Sequence, residues 1–348
     1  MLEDLIDKVI AAAAAYFDPR ERMSVHWQLA ALAAAVAYWG VVVQKSAGSG
    51  PAGLLKWLLP KDVIFHPSAV TDYFYFICNR LLRALVYAQF FVLSPLITNW
   101  VMQFLVQNFG MPSWTQEPML PTIFWTLVVT LIIVAVSDAT LWFAHWIFHV
   151  VPELWEFHKV HHSAEVMTPL TAARMHPVEE IVDTIIASTT VGTTYALLVY
   201  WLGAASVEFT IFEMNVVVIL FFLAAFNLRH SHVFLRYPNW LQHIFISPAQ
   251  HQIHHSRAPE HWDRNMGFIF SIWDWAAGTL VSPKYQMKLQ FGLGTAEDGT
   301  WRGVRTLYLR PFGGAWRRFR ARWGSDGAPS DVPTSSAVEA PAKTHPGE

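Results

Sequence analysis

Residues 123–149 read IFWTLVVTLIIVAVSDATLWFAHWIFH, an apolar run that ends in a pair of histidines. The run from Ile123 to Phe143 holds a single charged residue, Asp138, and is close to the roughly 20 residues that a membrane-spanning helix needs. Because hydrocarbon offers no partners to backbone N–H and C=O groups, such a run must be helical. His145 and His149 follow four residues apart, so a continuing helix carries both imidazoles on one face.

The composition predicts several helices of this kind. Hydrophobic residues make up 53% of the chain and charged residues only 14%, whereas about 25% of a typical soluble domain is charged. Four further apolar stretches have nearly the length of a span: Trp27–Val43, Leu82–Val106, Ile181–Leu202 and Val207–Phe226. The sequence therefore predicts an all-α fold, a multi-span transmembrane helical bundle. A net charge of −2 gives a nucleic-acid partner no electrostatic support.

Basic residues orient the predicted spans. Lys and Arg occur repeatedly between the first two stretches and after Asn227, but are absent from residues 107–122. By the positive-inside rule this alternation places the histidine-rich segments on the cytoplasmic side, as a helical cap on the bundle. The first stretch fits less well because Lys8, Arg20 and Arg22 precede it, so a re-entrant or interfacial helix stays open there.

Three regions are expected along the chain. Residues 1–121 hold N-terminal membrane helices and a cytoplasmic loop, residues 122–324 form a His-rich membrane core, and residues 325–348 form a disordered tail rich in Pro, Ala and Ser. The acidic start of the chain lacks the positive region of a signal peptide, so no cleavable signal is expected. The Arg- and Ala-rich composition favours a bacterial inner membrane, although the endoplasmic reticulum obeys the same topology rule.

Two histidine clusters of one form lie far apart in the chain, His158-x-x-His161-His162 and His251-x-x-His254-His255. On a helix each cluster can aim three imidazoles at one point, and neutral imidazole suits Fe, Zn, Cu and Ni. The single cysteine, Cys78, excludes a Cys-based zinc site and an iron–sulfur cluster. Neither Glu-x-x-His nor His-Glu-x-x-His occurs, which disfavours a carboxylate-rich di-iron site and a thermolysin-like zinc site. The pattern predicts an all-histidine site with more than one metal.

Other side chains are candidates to complete or support this site. His230 and His232 follow the last predicted span and would emerge on the same side, so either or both can ligate. His176 precedes Pro177, which suits a helix N-terminus, a supporting position or a ligand. The remaining candidates share one polar segment, where they can orient imidazoles or serve as caps and turns: His261, Asp263, Asn265 and Asp274.

In order and spacing, these motifs resemble those of the fatty acid hydroxylase / sterol desaturase superfamily of integral membrane non-haem di-iron oxygenases. The resemblance runs from about Asp138 to Leu280 and includes the segments NLRHSH at 227–232, SPAQHQIHHS at 247–256 and DRNMG at 263–267. It implies two iron ions bound by nine histidines: His145, His149, His158, His161, His162, His230, His251, His254 and His255. His232 departs from the asparagine often found there, so the choice between His230 and His232 stays open.

The resemblance implies an enzyme, an O2-dependent oxidoreductase of the monooxygenase type. Its expected reaction is hydroxylation of a lipid, whether a fatty acyl chain, a sterol or hopanoid, or an ether lipid. A desaturase with the same site is the alternative, because both reactions share one oxidant. No haem-carrying cytochrome domain is evident in the sequence, so electrons are expected from an external ferredoxin- or cytochrome-type donor with its reductase. A metal transporter or a haem-binding cytochrome is more remote, because either would place its polar groups inside the spans.

Overall fold

A computed structural model describes residues 2–44, 50–84, 93–112, 122–203, 208–211, 213–224, 226–284 and 287–323, with side chains from residue 6 onward. The fold is mostly helical, as predicted. The first helices are α1 (Leu2–Ala14), α2 (Val25–Tyr38, continued by a π-helical turn to Val43), α3 (Pro51–Leu58), α4 (Lys61–Ile64), α5 (Pro67–Leu82) and α6 (Leu93–Phe109). The remaining helices are α7 (Thr122–Val150), α8 (Pro152–His162), α9 (Pro177–Leu202), α10 (Val216–Leu223), α11 (Pro248–His254), α12 (Ile272–Ala277) and α13 (Val304–Trp323). The predicted disordered tail, 325–348, lies outside the described residues.

Among the described residues, three helices are long and apolar enough to cross a membrane: Val25–Val43, Thr122–Val150 and Pro177–Leu202. They confirm the prediction of an integral membrane protein with several spans. The first of these helices, Val25–Val43, is the stretch for which the sequence also allowed a re-entrant or interfacial helix. Of the predicted stretch Leu82–Val106 the structure describes mainly α6, whose 17 residues fall short of the roughly 20 needed.

The prediction of a continuous span over Val207–Phe226 is wrong. Strand β1 (Thr210–Ile211) pairs antiparallel with β2 (Met214–Asn215), and the helix that follows, α10, has only eight residues. Asn215 causes the break. Its Oδ1 accepts from the N–H of Val217 at 2.9 Å and so begins α10, while its amide donates to the carbonyl of Thr130 at 3.1 Å. The hairpin is thereby attached to the N-terminal third of α7.

Helix α8, which carries the first histidine cluster, packs between α7 and α13. A fully buried ion pair fixes its C-terminal end, with Arg174 Nη1 at 2.7 Å from Asp72 Oδ1. The same guanidinium donates to the carbonyl of Val160 at 2.8 Å and to Ser163 Oγ at 2.7 Å. Arg174 therefore contacts the residues on both sides of His161 and His162, through the backbone carbonyl of Val160 and the side chain of Ser163.

Two buried carboxylates position the segment between α11 and α12 beside α7. Asp138, on α7, accepts from the N–H of Ile269 at 2.6 Å. Asp274, on α12, accepts from the N–H groups of Met266 and Gly267 at 2.9 and 2.8 Å. Because buried backbone donors need acceptors, these contacts fix the segment between α11 and α12 against the histidine-bearing end of α7.

A close approach between α13 and α8 gives a first testable prediction. A Cβ added at Gly314 would collide with the carboxylate of Glu156, which also pairs with Lys159 at 2.9 Å and with Arg318 at 3.1 Å. We expect Gly314→Ala to destabilise the protein by about 1–3 kcal/mol, the usual cost of overpacking. The measurement is thermal unfolding of the purified protein in detergent.

The matched control is Gly313→Ala on the same helix, where the nearest atom to an added Cβ is Arg317 Nη1 at an ordinary 3.6 Å. Removing a helical glycine should there stabilise by about 0.5–1 kcal/mol. Equal effects of the two alanines would contradict the proposed packing.

Candidate metal centre

Nine buried or half-buried histidines form two groups, and within each group the ring nitrogens lie within 4.8 Å of one another. The five-histidine group consists of His145, His149, His158, His162 and His254. The four-histidine group consists of His161, His230, His251 and His255. These are the nine histidines that the resemblance implies, and His230 rather than His232 is the one placed in a group.

Each sequence cluster divides between the two groups. In α8, His158 and His162 point into the five-histidine group, while the third histidine of that cluster points into the other. In α11, which begins with a capping box at Ser247, His251 and His255 point into the four-histidine group and the third points away. The expectation that one cluster aims all three imidazoles at one point is therefore wrong. Neighbouring residues point about 100° apart around a helix, so adjacent histidines serve different groups.

In the five-histidine group, four rings have their Nδ1 atom held by an oxygen acceptor. The pairs are His145 with Met266 O at 2.9 Å, His149 with Asp263 Oδ1 at 3.1 Å, His158 with Glu179 Oε1 at 2.7 Å and His254 with Arg264 O at 2.8 Å. Carbonyl and carboxylate oxygens only accept hydrogen bonds, so each of these Nδ1 atoms carries the proton and donates. Each Nε2 atom is left with a lone pair.

These lone pairs point at one another. His158 Nε2 lies 3.1 Å from the Nε2 atoms of both His145 and His162. The Nε2 atoms of His149 and His254 are buried and have no hydrogen-bond partner among the described residues. Lone pairs at this distance repel unless a cation lies between them. Two nitrogens about 2.1 Å from one ion and at right angles are about 3.0 Å apart, so the spacing fits a bound metal.

The four-histidine group has the same spacing but less support. His230 Nε2 lies 3.2, 3.0 and 3.1 Å from the Nε2 atoms of His161, His251 and His255. The Nδ1 atoms of these three neighbours are buried and have no partner in the part of the chain that the structure describes. Three of the four rings therefore lack the acceptor that orients the imidazoles of the five-histidine group.

Burial keeps the imidazoles neutral. It lowers the pKa of His158 to about 3, and it lowers the pKa values of His162 and His254 well below the ordinary value near 6.5. The cause is the lost hydration of the imidazolium form. Because neutral imidazole is the form that binds metal, the site does not need to release protons at neutral pH. Two buried, converging sets of neutral imidazoles fit metal ions that prefer nitrogen ligands.

Three predicted histidines lie outside both groups. The ring of His232 packs against Trp57, with ring centroids 5.3 Å apart. His176 caps α9, because its Nδ1 accepts from the N–H of Val178 at 3.1 Å. His261 lies in a single 3-10 turn after the second cluster.

The polar residues predicted to support the histidines do so to different degrees. Asp263 contacts a ring directly, at 3.1 Å from His149. Asn265 instead braces the backbone by donating to two carbonyl groups at 3.0 and 2.9 Å. Asp274 acts indirectly, because it holds the N–H of Met266, whose carbonyl accepts from the five-histidine group.

Sequence reasoning missed Glu179 as a partner of the histidines. It lies in the first turn of α9, is 3% exposed and accepts from His158. The available signal was a carboxylate at a helix start, two residues after Pro177. That signal also fits ordinary helix capping, so only the fold reveals the contact.

Comparison with known proteins connects this geometry to a family. Residues 130–279, which carry all nine histidines, match the family described as fatty acid hydroxylase. The match covers less than half of the chain and shows a likeness to this family over that region. No solved structure matches the chain.

The curated relatives are distant, and each is much longer than the part of it that this chain matches. An alkylglycerol monooxygenase of Xenopus tropicalis is 27% identical over 49% of this chain and 33% of its own length. An ornithine lipid hydroxylase of Rhizobium tropici is 25% identical over 45% of this chain and 43% of its own length. An alkylglycerol monooxygenase of Caenorhabditis elegans is 25% identical over 50% of this chain and 30% of its own. The chain thus spans less than half the length of these relatives.

Glu179 gives a second testable prediction. Glu179→Gln keeps the shape of the side chain but removes the charge that supports His158 as a ligand. Loss of such a partner typically lowers metal affinity about 10–100-fold, and we expect a value near the lower end. Competition with a chelator of known affinity measures it. Glu260→Gln, at an exposed position, is the control and should leave affinity unchanged.

The unequal support of the two groups gives a third prediction. We expect a chelator to remove the metal of the four-histidine group first, because three of its rings have no acceptor at Nδ1 among the described residues. Metal content per chain, measured against chelator concentration, should fall in two steps separated by about 10–100-fold. His161→Ala should abolish the step at low chelator concentration. A single step in the unchanged protein would contradict the asymmetry.

Proposed function

We propose that the protein is a membrane-bound di-iron oxygenase that hydroxylates a lipid with dioxygen and external electrons. The observation that carries this proposal is the convergence of buried Nε2 atoms on two centres within the region that matches the fatty acid hydroxylase family. Five histidines would hold one iron and four the other. When bound, such irons supply the dioxygen activation needed to oxidise an unactivated C–H bond.

The chain's own residues orient the ligands and exclude water. Glu179, Asp263 and two backbone carbonyls keep protons on Nδ1, so that Nε2 is directed inward in a single tautomer. The ring of Trp155 covers one side of the five-histidine group, with centroids 5.1 Å from His149 and 5.4 Å from His162. A site kept dry in this way protects reactive species from side reactions with water.

The substrate is proposed to enter from the bilayer. Phe143 and Trp146 on α7 and Ile185 on α9 are exposed near the ends of spans that carry or adjoin the histidines, which suits contact with lipid. The names of two relatives, an alkylglycerol monooxygenase and an ornithine lipid hydroxylase, support a polar lipid as the substrate class. Neither relative is named as a desaturase, which favours hydroxylation over the desaturase alternative.

The sidedness and the electron supply are proposed from the sequence pattern. The basic loops support a cytoplasmic position for both histidine groups, in a bacterial inner membrane or the endoplasmic reticulum. From there, a ferredoxin- or cytochrome-type donor with its reductase would deliver two electrons per turnover. The proposed oxygenase core is residues 122–324, which contain the family match.

Untargeted lipid mass spectrometry tests this function. Cells that express the intact protein under 18O2 should accumulate a lipid that carries one 18O atom. Cells that express the His254→Ala, His255→Ala variant should not, because this variant removes one ligand from each group. The control is the His26→Ala, His243→Ala variant, which changes two exposed histidines outside both groups. A lipid that loses two hydrogens would instead establish a desaturase, and no difference with iron bound and reductant supplied would overturn the proposal.

A further inference from the structure

A cavity separate from the histidine groups lies between the segment before α2, helix α5 and the first turns of α9. None of the nine histidines lines it. Its volume is about 290 Å³, which is just below the roughly 300–1,000 Å³ of pockets that hold drug-sized ligands. A whole membrane lipid does not fit in such a space, but the headgroup of a lipid does.

One wall of the cavity carries guanidinium groups, among them Arg22 and Arg80. Arg80 is tied in place by its Nε, which donates to the carbonyl of Ala12 at 3.0 Å, and by its Nη1, which lies 3.3 Å from Glu21. Its Nη2 is buried and has no partner among the described residues. A buried donor without an acceptor is costly, and a phosphate oxygen is the acceptor that guanidinium groups bind best.

Another part of the wall carries Asp183, in the second turn of α9. Its Oδ1 is also buried and has no partner in the part of the chain that the structure describes. A carboxylate oxygen accepts hydrogen bonds only, so a ligand group that satisfies it must donate. A primary ammonium group does so with three N–H donors and also neutralises the charge. The cavity wall thus carries a cationic donor, Arg80 Nη2, and an anionic acceptor, Asp183 Oδ1, and neither has a hydrogen-bond partner among the described residues.

The position of the cavity fits the headgroup layer of a membrane. It lies at the end where span α9 begins, at Pro177. Helix α5, which lines the cavity with Phe76 and Arg80, also exposes Phe74 and Ile77. Helix α1, whose Ala12 carbonyl accepts from Arg80, exposes Val9 and Ile10. Exposed apolar side chains next to a charged cavity are the arrangement expected where acyl chains and headgroups meet.

We propose that this cavity binds the headgroup of a zwitterionic lipid, with its phosphate against Arg22 and Arg80 and its primary ammonium against Asp183. Phosphatidylethanolamine has this chemistry. Phosphatidylcholine has no N–H donor for Asp183, and phosphatidylglycerol has no cation. The same headgroup chemistry exists in soluble phosphoethanolamine, but the adjoining apolar surface selects the lipid.

Lipid binding measured by native mass spectrometry tests the inference. The metal-loaded protein in detergent is titrated with phosphatidylethanolamine, phosphatidylcholine or phosphatidylglycerol. We expect phosphatidylethanolamine to bind about tenfold more tightly than the other two, the effect of one additional hydrogen bond to a charged group. Asp183→Asn should abolish the preference. Asp62→Asn, the same chemical change at an exposed position, should retain it.

A second variant separates loss of the cavity from loss of the fold. Thr184→Leu keeps all the charges but fills space at the cavity wall, so it should weaken binding of phosphatidylethanolamine while the unfolding temperature stays near that of the unchanged protein. Soluble phosphoethanolamine should compete only at much higher concentration than the lipid. Equal binding of the three lipids, a preference that survives Asp183→Asn, or equal competition by the soluble compound would overturn the inference. Because the readout is binding, the result does not depend on whether the protein oxidises lipids.

Discussion

Replacing either His161 or His162 with alanine is expected to lower the rate of lipid oxidation by more than about 100-fold. This exceeds the roughly 10–100-fold loss that follows removal of a residue that only supports a ligand. The two residues are neighbours on α8, yet they serve different histidine groups. The two variants should therefore weaken metal binding at different sites, although the changes are adjacent and chemically identical. Activity assays with the lipid product, together with metal analysis of each purified variant, measure both effects.

The expected metal contents distinguish the two variants. His161→Ala should retain about one metal per chain, held by the well-supported five-histidine group. His162→Ala leaves four ligands in that group and should retain more metal overall, but with weakened binding at the five-histidine site. His243→Ala, at an exposed position outside both groups, should match the unchanged protein. Full activity in either His161→Ala or His162→Ala would contradict the assignment of that histidine as a ligand.

Asp72→Ala is expected to cause the largest loss of stability. Asp72 and Arg174 form an ion pair in which neither side chain is exposed. Removal of the carboxylate leaves a buried guanidinium without its counter-charge, which typically costs about 3–5 kcal/mol. Since Arg174 also holds the backbone beside the histidines of α8, metal affinity should fall as well. Thermal unfolding in detergent should show a decrease of roughly 10 °C.

A surface ion pair provides the control for this prediction. Asp298 pairs with Arg257 at 2.9 Å, but the two side chains are 28% and 25% exposed. Such a pair contributes at most about 1 kcal/mol because solvent screens it. Asp298→Ala should therefore leave the unfolding temperature nearly unchanged. Similar losses in both variants would mean that the buried pair does not stabilise the fold as described.

The histidine clusters and the membrane spans could be predicted because their signals are local. Apolar length alone identified the stretches that became α2, α7 and α9. The spacing within each cluster identified residues whose rings converge. Local spacing could not show that each cluster divides between two groups, because that depends on how α8 and α11 face each other across the site.

The supporting residues could not be predicted for the same reason. Glu179 reaches His158 from the start of another helix, and Arg174 reaches Asp72 across about a hundred residues of chain. The predicted span at residues 207–226 failed because Asn215 finds partners on α7, a tertiary contact that overrides a strongly apolar pattern. His232 shares its motif with His230, and only the fold turns one toward a histidine group and the other toward Trp57.

The identity and number of the bound metals test the central claim most directly. The protein should be purified from iron-supplemented cells without added chelator, and its metals measured by inductively coupled plasma mass spectrometry. We expect about two irons per chain, since the two histidine groups each provide a separate set of converging Nε2 atoms. Zinc in place of iron in an active preparation, or a protein that oxidises lipid with no metal bound, would contradict this expectation.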